Sequence, residues 1–251
     1  MRAASFLVSF RPICGFVIAF AAASVSPAPM AALSAAQPAP AAETRELDGR
    51  SFRVRLLFED RFDDLDRWVA ETDGTLTVAG NELAWDCGEK RAGTLWCRER
   101  FEGPTIVEYD VVTVSGADNV NFIFYAHLED KDLLETTAER TGKYSEYHAF
   151  ANYIITYLTN FEPRWRIRFR KNPGFQLMSE TYSDRPATQG VRQRVTCVFE
   201  KDGTMSLYAD GRLLHSARDA DNPYRSGYHG FRTWNSVLKY SNFKVYAILD
   251  D

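Results

Sequence analysis

Trp165-Arg166-Ile167-Arg168-Phe169-Arg170 decides the fold. Successive side chains on a β-strand point to opposite faces. Trp165, Ile167 and Phe169 therefore turn one way, into a core, and Arg166, Arg168 and Arg170 turn the other. Three guanidinium groups then stand in a row about 7 Å apart on one sheet face, and Lys171 follows at the end of the stripe.

Working outward, alternating or apolar segments recur at 75–78, 82–87, 94–101, 105–114, 120–127, 144–150 and 153–159 before that stretch continues over 164–170. Four more follow, at 191–200, 204–209, 228–233 and 238–248. Asp73-Gly74, Gly103-Pro104, Asp202-Gly203 and Asp210-Gly211 are turn signals between them. Only 131–140 has the makings of a helix. About a dozen strands with almost no helix predict an all-β chain: one β-sandwich or jelly-roll domain over 43–251.

The chain has 251 residues, 45% hydrophobic and 14% aromatic, which excludes a disordered chain, a collagen and a coiled coil. Residues 1–42 differ from the rest. Met1-Arg2 precedes two apolar runs and a small-residue, Pro/Ala-rich tail, the pattern of a secretory leader, so the domain is expected outside the cytoplasm, periplasmic or extracellular. The run 13–23 is too short to span a bilayer comfortably, and no membrane association is expected after leader removal. Cys14 lacks a lipobox context. Loss of Arg2 and Arg11, with no acid, takes the formal charge from −4 to −6, which argues against nucleic acid as partner.

Export alters the reading of the cysteines. Cys87 and Cys97 flank a polar stretch containing Gly93; a hairpin turning there sets the sulfurs face to face, and a disulfide is expected. Cys197, within Val195-Thr196-Cys197-Val198-Phe199, reads as a buried thiol.

The same period assigns further faces. Asn121, Ile123, Tyr125 and His127 share one side of their strand, Tyr144, Glu146 and His148 one side of theirs, and Tyr153, Ile155 and Tyr157 another. If these strands are neighbours, one sheet face gathers Arg, His, Tyr, Glu and Asn. Aromatic faces stack on pyranose C–H groups, and planar polar groups bond vicinal hydroxyls. That combination points to a sugar surface.

The run Arg140-Thr141-Gly142-Lys143-Tyr144-Ser145-Glu146-Tyr147-His148, then Asn152-Tyr153 and Tyr157, then Phe169-Arg170-Lys171-Asn172-Pro173-Gly174-Phe175, Gly230-Phe231-Arg232 and Phe243-Lys244-Val245-Tyr246 resemble the YesU-like domains over about 52–248. The resemblance implies a concanavalin-A-like lectin/glucanase fold of two curved antiparallel sheets, a concave groove lined by the polar face, and a uronate-containing saccharide as substrate class.

The chemistry follows from the side chains. The retaining glucanases of that superfamily use Glu-x-Asp-x-Glu; here Glu108-Tyr109-Asp110-Val111-Val112 lacks the second Glu, and Glu108 and Asp110 read as a solvated outer face. No zinc spacing, phosphate loop or Gly-x-Ser-x-Gly elbow is present. Glu59, Asp60, Asp63, Asp64 and Asp66 offer a structural calcium site or, more simply, a charged turn; no other cofactor is implied. What remains suits β-elimination on a uronate, which needs cations against the developing enolate and a group to move protons. Tyr144, His148, Tyr153, His127 and Glu146 are the candidate catalytic residues. Arg168 and Arg170 are the choice for the carboxylate clamp, with Arg166, Lys171, Arg232, Asn121, Tyr125 and Tyr157 as further substrate-binding candidates. The reaction is that of a lyase or a dehydratase. The alternatives are a carbohydrate-binding module with no reaction and a glycoside hydrolase using Glu146 and Glu180.

Overall fold

The alternating segments do form strands. The computed structural model describes residues 40–89, 91–158, 165–183 and 188–250; the expected leader and tail lie outside them up to residue 39, Cys14 included, and Ala42, expected to end the tail, opens the first strand. In chain order the strands are β1 (Ala42–Leu47), β2 (Arg50–Asp60), β3 (Trp68–Thr72), β4 (Thr75–Ala79), β5 (Glu82–Asp86), β6 (Ala92–Glu102), β7 (Thr105–Gly116) and β8 (Asn119–His127). After two 3-10 turns, Leu134–Glu139 and Tyr144–His148, come β9 (Ala151–Leu158), β10 (Trp165–Asn172), β11 (Gln176–Ser183) and β12 (Arg192–Phe199). β13 (Thr204–Ala209), β14 (Arg212–Arg218), β15 (Ser226–Trp234) and β16 (Ser236–Ile248) complete the chain.

Two antiparallel sheets result. One runs β1-β2-β16-β7-β12-β13-β14, with β5 also on β16 and β4 beyond it; the other runs β11-β10-β9-β8-β15-β6-β3. Between them lies the main core, which includes Trp68, Leu95, Val107, Phe122, Ile155, Ile167, Phe169, Phe231, Tyr240 and Phe243. Phe231 is its aromatic hub, with its ring centre 4.2 Å from Tyr240 and 5.4 Å from Trp68. Ile167 and Phe169 enter this core as their alternation demands, and the arginines beside them face outward.

Two expectations fail here for topological reasons. Residues 144–150 are not a strand: their first turn is 3-10, anchored by Glu146, whose carboxylate accepts from Thr141 N at 2.8 Å and Lys143 N at 3.1 Å. Nor do Cys87 and Cys97 flank a hairpin. Cys87 follows β5 in one sheet and Cys97 sits within β6 in the other, and both thiols, like that of Cys197, are buried and free.

Two further segments differ from their reading. Glu108 and Asp110 are buried on the outward side of their sheet, not solvated, and Arg194 grips Asp110 at 2.8 Å. In the acidic loop, Asp60 accepts hydrogen bonds from Phe62 N at 2.6 Å and Trp68 Nε1 at 2.9 Å, and Asp64 accepts from Asp66 N. These bonds build a turn. Among the described residues no group of three or more His, Cys, Asp or Glu side chains is placed to hold a metal ion.

Candidate functional site

Strand register aligns one polar residue from every strand of the seven-stranded sheet. Glu180 on β11 pairs with Arg168 on β10, Arg168 with Thr156 on β9, and Thr156 with Asn121 on β8. Asn121 then pairs with Arg232 on β15, Arg232 with Thr94 on β6, and Thr94 with Glu71 on β3. Residues paired across a ladder share a face, so this row crosses the outward face of the sheet. Neighbouring strands are about 4.8 Å apart, which separates the Arg168 and Arg232 backbones by about 14 Å.

The middle of that row is the floor of a hollow of about 690 Å³. Arg166, Arg168, Arg232, Arg91 and Lys143 line it, against Asp73 as the one carboxylate among the described lining residues. Asn119, Asn121, Thr156, Tyr144 and Trp234 supply hydroxyl, amide and aromatic surface. The Oδ1 atoms of Asn119 and Asn121 are buried and have no hydrogen-bond partner among the described residues.

Arg232 sits deepest, only 2% exposed. It makes no ion pair with a described residue; its guanidinium lies 4.3 Å from the ring centre of Tyr144 and 5.7 Å from that of Tyr147, and Nη2 donates to Gly142 O at 3.4 Å. Burial holds its pKa below the ordinary arginine value, against the attraction of nearby Tyr147 and Tyr144. A buried cation without a counter-ion is costly, and this one lines a hollow.

Arg168 is different, because Glu180 on the neighbouring edge strand grips it. Arg170, the third arginine of the stripe, does not reach the hollow. Its guanidinium stacks 3.8 Å from the ring centre of Phe175 and donates to Phe175 O at 3.0 Å.

Two walls enclose the Arg232 corner. The first covers an apolar patch of the same sheet face, formed by Trp96, Ile123, Ile154 and Tyr228 and capped by Leu133, Tyr147 and Phe150 from the connection between β8 and β9. In it His148 stacks on Phe175 at 3.8 Å, and Tyr144 meets both edge-on at 5.0 and 5.2 Å. Burial, then the charges of Arg170 and Arg232, lower the His148 pKa. The second wall is the loop through Gly142, which rests on β6 and β3 so closely that a Cβ there would lie 2.6 Å from Glu71 O and 2.7 Å from Gly93 Cα. Its φ of +84° also calls for glycine. Glu71 holds both walls from beneath, accepting from Arg140 at 2.6 Å and from Tyr147 Oη at 2.7 Å.

The structure thus brings Arg166, Arg168, Arg232, Asn121 and Tyr144 together. It removes others from the expected set. Tyr153 and Tyr157 lie between the sheets, where Tyr153 Oη donates to Asp219. Tyr125 joins them because the β8 register shifts between Phe124 and His127, and its hydroxyl donates to Gly103 O. His127 packs edge-on against Tyr224, away from the hollow. Lys171, one residue past the stripe, belongs to the opposite face and pairs with Asp219 at 2.6 Å. Glu146 caps its turn and His148 backs Tyr144; neither lines the hollow. Asn119, Thr156, Arg91, Lys143 and Trp234 were missed. For Asn119 the alternation of its strand with Asn121 carried the signal.

The sequence model of the family described as "Domain of unknown function (DUF6250)" matches residues 88–243. No curated protein matches. Among solved structures, a Bacillus subtilis protein of unknown function with a galectin-like fold superposes with TM-score 0.71 at 18% identity, covering 83% of this chain and 100% of that one. Carbohydrate binding module CBM66 from Bacillus subtilis gives 0.52 at 14% identity, covering 71% and 94%. An endo-β-1,3-glucanase from Pyrococcus furiosus gives 0.56 at 13% identity, covering 83% and 99%. At these identities the likeness is one of fold, the galectin-like and concanavalin-A-like jelly roll.

Proposed function

The chain belongs to the DUF6250 family, and on that premise we propose that its hollow captures a uronic-acid-containing oligo- or polysaccharide and cleaves it by β-elimination. The observation that carries this is Arg232: a guanidinium, 2% exposed, with no carboxylate partner among the described residues, at the bottom of a hollow rich in cations. A sugar carboxylate supplies the missing counter-ion through the planar fork that arginine offers. Trp234 and Tyr144 offer ring faces, and Asn119, Asn121 and Thr156 offer partners for hydroxyls. The fold shared with a carbohydrate-binding module and a glucanase and the resemblance to YesU-like domains support a saccharide. The leader supports an encounter outside the cytoplasm.

Elimination is favoured by which side chains face the substrate. Tyr144 lines the hollow, with the Arg232 guanidinium over its ring, so its hydroxyl stands beside the group that holds the substrate carboxylate. Tyr144 Oη, acting as general base, takes the proton from C5 while the carboxylate on Arg232 accepts the developing charge. The electron pair then forms the C4–C5 double bond, the C4–O bond breaks, and the proton passes to the leaving oxygen. A glycosidase needs two facing carboxylates, but Glu146 is committed to its turn and Glu180 to Arg168. The test is incubation with uronate oligosaccharides while the ultraviolet absorbance of the conjugated double bond is followed. Tyr144→Phe should abolish that signal and keep binding. Binding by the unmodified protein with no absorbance on any uronate would make it a binding module.

A further inference from the structure

We infer that Tyr182, at the edge of the sheet and outside the hollow, is the far platform of a saccharide track that passes Trp234 and Arg232; this rests on the uronate reading above. A second row of residues runs beside the one that carries Arg232. Two residues along each strand from Arg232, Asn121, Arg168 and Glu180 stand Trp234 on β15, Asn119 on β8, Arg166 on β10 and Tyr182 on β11. The period of two keeps all four on the same outward face, and Arg166 pairs with Tyr182 in the ladder. The hollow already follows most of this row, from Trp234 and Asn119 to Arg166 and Arg168. Among the described residues, the exposed large apolar side chains include two aromatic ones, Tyr182, 47% exposed, and Trp234, 37% exposed. An isolated exposed ring needs no explanation, but these two stand on one row with Asn119 and Arg166 between them.

The row suits one chain of acidic sugars laid across the strands. Trp234 follows Arg232 by two residues on β15, about 7 Å away, so a sugar whose carboxylate meets the guanidinium is within reach of the indole ring. Arg166 and Arg168 then offer planar donors to the sugars that follow. Glu180 holds the far end, gripping Arg168 and accepting from Tyr182 Oη at 3.4 Å, which tethers the phenol ring beside the arginines. β15 and β11 are separated by β8, β9 and β10, which puts the Trp234 and Tyr182 backbones about 19 Å apart. An extended pyranose chain advances by about one strand spacing per sugar, so the track from ring to ring takes about four sugars. β11 is the last strand of its sheet, and no further strand lies beyond Tyr182.

The test uses the full chain and two probes, galacturonate and guluronate oligosaccharides, each as purified disaccharide and tetrasaccharide, with binding read by calorimetric titration. The track predicts that the tetrasaccharide binds at least about threefold more tightly than the disaccharide, and that Tyr182→Ala removes this gain while changing the disaccharide constant by less than about twofold. Tyr182→Phe, which keeps the ring, should keep the gain. Equal affinity at both lengths, a gain that survives Tyr182→Ala, the same fold-loss at both lengths in that variant, or loss of the gain in Tyr182→Phe would each overturn the platform and leave the uronate reading standing. Failure of every oligosaccharide to bind the unaltered protein would overturn both.

Discussion

Arg232→Met separates a side chain kept for ligand from one kept for the fold. Burying a lone guanidinium costs several kcal/mol even after relaxation. Arg232 recovers part of this from the Tyr144 and Tyr147 rings and one long bond to Gly142 O, contacts together worth about 2 to 3 kcal/mol. Methionine fills similar space with no charge to desolvate, so the variant should be as stable as the parent or more stable by about 1 to 2 kcal/mol. That corresponds to a melting temperature higher by roughly 2 to 8 °C in a domain of this size. Loss of a charge-assisted contact to a carboxylate should cost about 1.5 to 3 kcal/mol of binding, roughly a tenfold to 150-fold weaker dissociation constant. Thermal melts and calorimetric titration with a uronate disaccharide read the two effects separately. A variant that melts many degrees lower and binds as before would refute the reasoning and make Arg232 a structural residue.

Other outcomes follow from the same geometry. Tyr144→Phe should leave melting within about 2 °C of the parent while turnover vanishes; retained turnover would exclude its phenol from the chemistry. Burial pushes the His229 pKa down to about 3, so its ring should stay neutral in a nuclear magnetic resonance titration to below pH 5. Because the unfolded ring has a pKa near 6.5, stability should be complete above that pH and fall as pH drops toward about 3. A His229 midpoint near 6.5 would contradict this. Asp219→Asn removes the carboxylate that Lys171 and Tyr153 hold; burial raises the Asp219 pKa, but those two partners more than offset it and leave it below the usual range. The variant should lose about 1 to 3 kcal/mol at neutral pH. The deficit should close as the parent carboxylate protonates below about pH 4, and an equal deficit at all pH values would count against the charge. Burial pushes the Cys87 and Cys97 thiols up to about 11 and about 12. Cys87, Cys97 and Cys197 should therefore be inert to a thiol reagent in the native chain and all react after denaturation; fewer would mean a bridge.

Alternation along β10 was enough to place Arg166 and Arg168 on one face, because Ile167 and Phe169 leave no choice about which side is buried. β9 offered no such choice. Tyr153, Ile155 and Tyr157 on one side and Ile154 and Thr156 on the other are all apolar enough to bury, and both sides are buried. The rings therefore went to the core and Thr156 to the floor. Tyr125 was lost to a bulge, which changes the phase of the alternation; Gly227 packs against its backbone there, with room for no side chain. The residues from Leu128 to Phe150 were least legible. Their shape comes from long-range contacts, Glu71 with Arg140 and Tyr147 above all, and Tyr144 lines the hollow because a 3-10 turn presents it, not a strand. Cys87 and Cys97 misled for a related reason: closeness in sequence said nothing about a chain that changes sheet between them.

The most direct test of the account is a pair of calorimetric titrations with one uronate disaccharide and its carboxyl-reduced, neutral counterpart, each at low and high salt. The lone buried guanidinium predicts that the acidic sugar binds at least tenfold more tightly and that salt reduces the difference as it screens the charge. Equal affinity for the two sugars, unmoved by salt, would contradict the assignment of the hollow to a carboxylate.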